Sequence, residues 1–285
     1  MTQLKKLAAA CSAVLAMTAL EAGAATGQGM PVTQINVYDG GMPVTQINVY
    51  DGKAVEAPPA AEPAAAEPAG DHSFTANVAL VSNYVFRGQS QTDKGAAIQG
   101  GFDYTYNPLN LYLGTWASNV ESSGFDGANM ELDVYGGWRP TFDKLTLDLG
   151  VLGYLYPGND GNTDGINTVE FKAGASYDFG VVTPGFTYYY SPDWYATEES
   201  AQRFELSASI PLPMEFKLVA KYGWNQFDYD SDNDYQDWSV GITKDVLGVT
   251  LGLAYTDTVD LDEKVYCAAP FQCDGQVIVS ISKVF

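Results

Sequence analysis

From Ser73 to Phe285 the sequence falls into about twelve stretches in which apolar and polar residues alternate. Successive side chains of a strand point to opposite faces, so each stretch is a strand with one apolar and one polar face. The pattern is plainest where Leu145, Leu147, Leu149 and Val151 oppose Thr146, Asp148 and Gly150. It recurs where Phe216, Leu218, Ala220, Tyr222 and Trp224 oppose Glu215, Lys217 and Lys221. The expected strands are 73–87, 96–106, 109–118, 129–139, 144–156, 167–179, 181–191, 202–211, 214–224, 236–243, 247–256 and 275–285.

The gaps alternate as well. Asn107-Pro108, Pro140–Asp143, Gly180, Leu212-Pro213 and the turn near Lys244–Val246 are short. The segments 120–129, 157–166, 192–201, 225–236 and 257–274 are long and carry many of the acidic residues. A soluble two-sheet sandwich has no reason to sort its loops by side, whereas a barrel in an outer membrane does. Tyr104, Tyr106, Tyr156, Tyr188, Tyr190, Tyr222, Trp224 and Tyr255 stand near strand ends, where such a barrel places its aromatic girdles. The expectation is an all-β fold: a closed antiparallel transmembrane barrel of about 12 strands, within a range of 10–14. With the N-terminus in the periplasm, the short turns fall inside and the long loops outside.

Composition agrees. The chain carries 19 Tyr, 13 Phe and 5 Trp with 29 Gly, residues suited to short strands and tight turns. Beyond the N-terminus no apolar run reaches the ~18 residues a spanning helix needs. Residues 1–24 read as a signal peptide: Lys5 and Lys6, an apolar stretch from Leu7 to Leu20, and a small-residue site at Ala22-Gly23-Ala24. A lipoprotein anchored at Cys11 is the competing reading; Ala8 lacks the bulk of a lipobox residue, and the apolar run continues past Cys11.

Residues 25–52 contain two identical tandem copies of GMPVTQINVYDG. Each could supply a short strand, although an isolated hairpin is marginally stable and a recent duplication explains the repeat equally well. Residues 53–72 form an Ala/Pro/Glu-rich linker, semi-extended or disordered and periplasmic. The barrel domain is 73–285.

Removing the signal peptide takes Lys5, Lys6 and Glu21, which moves the formal net charge from −21 to −22. Clustered cations are missing, so a nucleic-acid partner is not expected. Cys267 and Cys273 read as a disulfide pinning the last long loop in an exported protein, with metal binding as the alternative. The single histidine, His72, lies at the barrel edge and reads as a solvated linker residue, so the chain is expected not to be an enzyme: no catalytic residue, no cofactor and no resident metal are assigned. Asp160, Asn162 and Asp164 match the start of a calcium loop, but Phe171 occupies the twelfth position and Glu170 falls one short. Asp230, Asp232 and Asp234 form a second acidic cluster. Solvated loops are the expectation for both.

The stretch 77–104 (NVALVSNYVFRGQSQTDKGAAIQGGFDY) resembles the opening of the TorF porin family of Gram-negative bacteria. Residues 111–120, 131–138 and the close at 275–285 are similar to that family as well. The tandem repeat and the linker lie outside the pattern. The resemblance implies an outer-membrane barrel acting as a porin. In bacterial barrels of this kind a last strand ending on an aromatic, here Phe285, is part of what the barrel-assembly machinery recognises. Lys283 departs from the ideal apolar position in that strand and can snorkel to the interface.

If the apolar faces meet outer-membrane lipid, the lumen receives Arg87, Asp103, Glu131, Asp133, Asp148, Glu170, Lys172, Arg203, Glu205, Lys217 and Lys221, together with Asn77, Asn83, Gln99, Trp116, Arg139 and Asp178. Glu170 with Lys172, and Glu205 with Lys217 or Lys221, are the expected pairs, since buried charges are kept only when paired or hydrated. These groups either fill a narrow barrel or border a path for small solutes or ions, with a weak cation preference from the acidic loops. Passive diffusion of small hydrophilic solutes is the leading expectation; a non-conducting structural or surface-binding barrel is the alternative.

Overall fold

A computed structural model describes residues 33–39, 42–49, 70–159, 166–195, 197–228, 233–261 and 271–285. Twelve long strands form a closed antiparallel sheet. In chain order they are β1 His72–Val81, β2 Ala97–Tyr106, β3 Leu111–Asn119, β4 Met130–Trp138, β5 Leu145–Leu155 and β6 Thr168–Tyr177. There follow β7 Thr183–Ser191, β8 Ala201–Leu212, β9 Phe216–Phe227, β10 Tyr235–Val246, β11 Val249–Val259 and β12 Gln276–Val284. Each strand pairs with its sequence neighbours, and β12 returns to β1 with Ile281 opposite Leu80. Closure leaves no unpaired edge, which a membrane-spanning sheet requires.

The alternation read from the sequence sorts side chains as expected. Phe74, Leu80, Ile98, Phe102, Leu113, Leu253, Val277 and Val279 are more than half exposed on the outer wall. Their neighbours along each strand point inward. A contiguous apolar belt of this size is foreign to water and suited to lipid.

The connections also sort by end. At one rim the turns are tight: Leu247 (φ 52°) and Gly248 (φ 81°) form a two-residue hairpin between β10 and β11. At the other rim lie the long loops, and we call the two rims the short-turn end and the long-loop end. Strands Thr33–Asp39 and Met42–Val49, from the two tandem copies, pair antiparallel with each other. The proposed calcium loop at 160–165, Asp230 and Asp232, and Cys267 lie outside the described residues, as do residues 1–24 and most of the linker.

The first strand is the main departure from the sequence reading. It ends at Val81 instead of 87, because the chain turns into the barrel at Ser82. Segment 82–96 stays inside the barrel mouth, and Asn83, Tyr84, Phe86, Arg87, Ser90, Gln91 and Thr92 are all buried. Its backbone is left-handed at Arg87 (φ 49°), Gly88 (φ 83°), Asp93 (φ 50°) and Lys94 (φ 60°). Non-glycine residues in this region cost about 1–2 kcal/mol each, so tertiary contacts must hold the segment. Gly88 sits where a Cβ would overlap Thr258 Cγ2 on β11, so only glycine permits that approach.

Candidate functional site

The inner wall has two unlike halves. Near the long-loop end the inward residues are buried beneath segment 82–96. Tyr84, Phe86, Trp116, Phe125, Tyr154 and Tyr156 pack into one apolar cluster there. Tyr156, expected in an outer girdle, is 2% exposed and faces this cluster.

Four polar attachments fix the segment to the wall and two more tie it at the rim. Arg87 Nη2 donates to both oxygens of Glu170 on β6, at 2.6 and 2.8 Å. The Tyr84 hydroxyl donates to Glu131 Oε1 on β4 at 3.1 Å. The Tyr235 hydroxyl on β10 donates to the Arg87 carbonyl at 3.1 Å and accepts from Gln89 Nε2 at 3.0 Å. Asn83 is held by the Gln276 side chain of β12 and accepts from Ser90 Oγ at 2.7 Å. At the rim Lys94 Nζ lies 2.7 Å from Asp274, and Gln272 Nε2 donates to Asp93 at 2.6 Å. Lys94 holds the Asp274 carboxyl below its usual range through this hydrogen bond, although slight burial works the other way.

Beside the segment runs a second buried network. Arg203 on β8 donates from Nη1 to Asn225 Oδ1 at 2.8 Å and to Asp237 Oδ2, and from Nη2 to Glu205 Oε2 at 3.0 Å. A Cβ on Gly223 would collide with this guanidinium, so glycine makes its room. Lys221 Nζ stands 3.7 Å from Glu205 Oε1.

Toward the short-turn end the wall opens. On β10–β12 its inward residues are small and half-exposed: Ser239, Gly241, Thr243, Gly252, Ala254, Ser280 and Ser282. One polar cluster sits opposite, on β3–β6. Asp148 Oδ1 accepts from the Tyr112 hydroxyl at 2.8 Å, while its Oδ2 accepts from Arg139 Nη2 at 2.9 Å and meets Lys172 Nζ at 2.8 Å. The Arg139 guanidinium lies 4.1 Å over the Tyr112 ring. Asp103 Oδ1 accepts from the Tyr135 hydroxyl at 2.7 Å.

All the expected inner-wall residues except Asp178 stand at inward positions, with three corrections of detail. Asn83 and Arg87 stand on the infolded segment and not on the first barrel strand. Asp178 lies in the turn after β6, where it accepts from the Gly180 amide. The pairing also differs: Glu170 takes Arg87 from the infolded segment, and Lys172, which stands opposite Gly150, reaches diagonally across the strand pair to Asp148. Of the two lysines expected for Glu205, Lys221 is the one near it; Lys217 is half-buried near the short turns and makes no ion pair among the described residues. Asp133 is fully buried beside Glu131, and neither of its carboxylate oxygens has a hydrogen-bond partner. Tyr84, Tyr112, Asn225, Asp237 and Gln276 were missed. Asp237 and Asn225 share the inward parity of Tyr235 and Lys221, which could have found them. His72 accepts or donates a 2.8 Å bond with the Tyr104 hydroxyl at the strand end. Among the described residues no group of three or more His, Cys, Asp or Glu side chains could hold a metal.

The fold defines a class, the twelve-stranded closed antiparallel barrel with an apolar exterior and a charged interior. Residues 65–285 match the family described as "Bacterial protein of unknown function (Gcw_chp)", and the chain belongs to that family. No curated protein matches it. Among solved structures it is similar to the NanC porin at 10% identity, covering 74% of this chain and 98% of that one with a TM-score of 0.50. The KdgM porin is similar at 6% identity, covering 74% and 99%, also with a TM-score of 0.50. At these identities the likeness is one of fold.

Proposed function

We propose that the chain is a porin-like channel of the Gram-negative outer membrane, passing small hydrophilic solutes or ions by passive diffusion. The observation that carries this reading is the closed barrel with lipid-suited residues outside and, on its short-turn half, a water-accessible polar wall inside. Planar-bilayer recording of the refolded protein tests it: discrete steps at high salt are expected, and a barrel that inserts yet stays silent refutes it. The packed long-loop half favours a second reading, a non-conducting structural or surface-binding barrel, and the same silent result would support that one.

Several finer points belong to the proposal. Periplasmic short turns would put the N-terminal segment and linker in the periplasm after removal of the signal peptide at Ala24. Cys267 and Cys273 would form the loop disulfide; Cys273 is 2% exposed, which suits a paired sulfur. The outward apolar row of β12 would present its strand to the barrel-assembly machinery. The TorF resemblance of residues 77–104 points to the same porin role, and we assign no enzymatic activity.

A further inference from the structure

The Arg87 guanidinium lies in a cage with more recognition chemistry than structural plugging requires. Glu170 is 1% exposed and supplies the carboxylate. The rings of Trp194 and Tyr189 stand 4.9 and 5.6 Å from the guanidinium carbon, with Phe86 at 4.8 Å. Aromatic faces within about 6 Å of a cation attract it through the ring quadrupole, and more strongly when water is excluded. Tyr154 steadies Glu170 with a hydroxyl 3.4 Å from Oε2. Wall and loop residues make up this cage, apart from Phe86, and would remain if segment 82–96 moved.

Arg87 fills the cage imperfectly. One nitrogen, Nη2, serves both carboxylate oxygens, and the buried Nε has no hydrogen-bond partner. A guanidinium free to turn could set two parallel N–H bonds on the carboxylate, the stronger arrangement. Arg87 is prevented by its tether, which also holds it at φ 49°. An untethered cation would gain the second bond and relieve that backbone.

We propose that Glu170, Tyr189 and Trp194 form a binding site for guanidinium-bearing and related organic cations, occupied in the resting barrel by Arg87, and that such a cation, by displacing Arg87, releases segment 82–96 from the barrel mouth. The displacement step deepens the channel reading and rests on it; the binding site does not.

The probe is methylguanidinium, titrated against the full chain refolded in detergent and read by tryptophan emission, with sodium chloride at equal ionic strength as reference. Arg87→Gln vacates the cage, because the neutral amide side chain is two bonds shorter than the guanidinium it replaces. Its affinity should exceed that of the wild type at least tenfold, and Arg87→Gln/Glu170→Gln should lose saturable binding. Trp194→Phe in the Arg87→Gln background should remove most of the emission change. Affinity equal in wild type and Arg87→Gln, binding indifferent to Glu170, or the same signal from sodium overturns the site. Folding is checked by the heat-modifiable gel shift; if Arg87→Gln fails that check, Arg87→Lys, which keeps a cation in the cage but loses the planar fork, takes its place with a smaller expected gain of a few-fold, and affinity equal to the wild type overturns the site. In bilayers methylguanidinium should lengthen wild-type openings and leave Arg87→Gln unchanged. Binding with a silent bilayer keeps the site and sinks the channel reading; conductance that ignores methylguanidinium overturns the release step.

Discussion

The two halves of the barrel interior are made from the same strands with different chemistry. The long-loop half carries Glu131, Asp133, Glu170, Glu205 and Asp237 against Arg87 and Arg203, and an infolded chain segment covers them. The short-turn half carries Arg139, Lys172 and Lys217 against Asp103, Asp148 and Asp245, and small side chains on β10–β12 leave part of its wall accessible. A buried carboxylate is costly unless a cation or donor reaches it. The acidic half therefore both attracts and needs the basic and phenolic groups that segment 82–96 brings. Packing and charge are two consequences of one arrangement, and the chain segment that lies across the interior does so in the acidic half.

Exchanging residues 83–94 for a short Gly/Ser linker would break the contrast most severely. The unplugged barrel should conduct several-fold more than the wild type in planar bilayers, since the remaining wall has no chain across it. Equal conductance would mean that the barrier lies in the short-turn half.

Glu170→Ala acts on the same half through stability. It leaves Arg87 buried among rings without its carboxylate, and breaking such a pair costs about 3–5 kcal/mol. The folded band should melt at markedly lower temperature on unheated gels. A melting temperature matching the wild type would show that water already reaches the pair.

Lys217→Gln probes the open half. The side chain is half-buried and makes no ion pair among the described residues, so stability should stay within about 0.5 kcal/mol. Selectivity should still respond: removing a cation from an accessible wall shifts the reversal potential toward cations. An unchanged potential alongside intact conductance would place Lys217 off the solute path.

Most of the barrel was legible because its two rhythms, residue parity and gap length, are local. Parity turned Glu131, Asp133, Asp148, Lys172, Arg203 and Glu205 inward, and gap length separated the rims. The infolded segment was not legible. Its residues Asn83 to Arg87 continue an alternating pattern, and the turn at Arg87–Gly88 depends on contacts with β6, β10 and β11 that no neighbouring residue announces. Pairing was lost for the same reason: Glu170 meets a partner 83 positions away, and only strand tilt and the loop path decide which cation arrives.

The smallest effect belongs to the rim, where segment 82–96 is tied by Lys94 to Asp274. Their side chains are 39% and 68% exposed, so solvent screening limits the pair to a fraction of a kcal/mol. The folded carboxyl titrates below its usual range because Lys94 donates to it. Its contribution is complete above the ordinary aspartate value of about 4 and is lost as the pH falls through the lowered folded value. Asp274→Asn should therefore melt slightly below the wild type at pH 7, and the gap should narrow as the pH falls below about 4. High salt at pH 7 should narrow it too, because the pair is exposed. A gap that does not narrow would mean that the asparagine disturbs the last loop's backbone, and the rim would then be held by the Gln272–Asp93 bond instead of by charge.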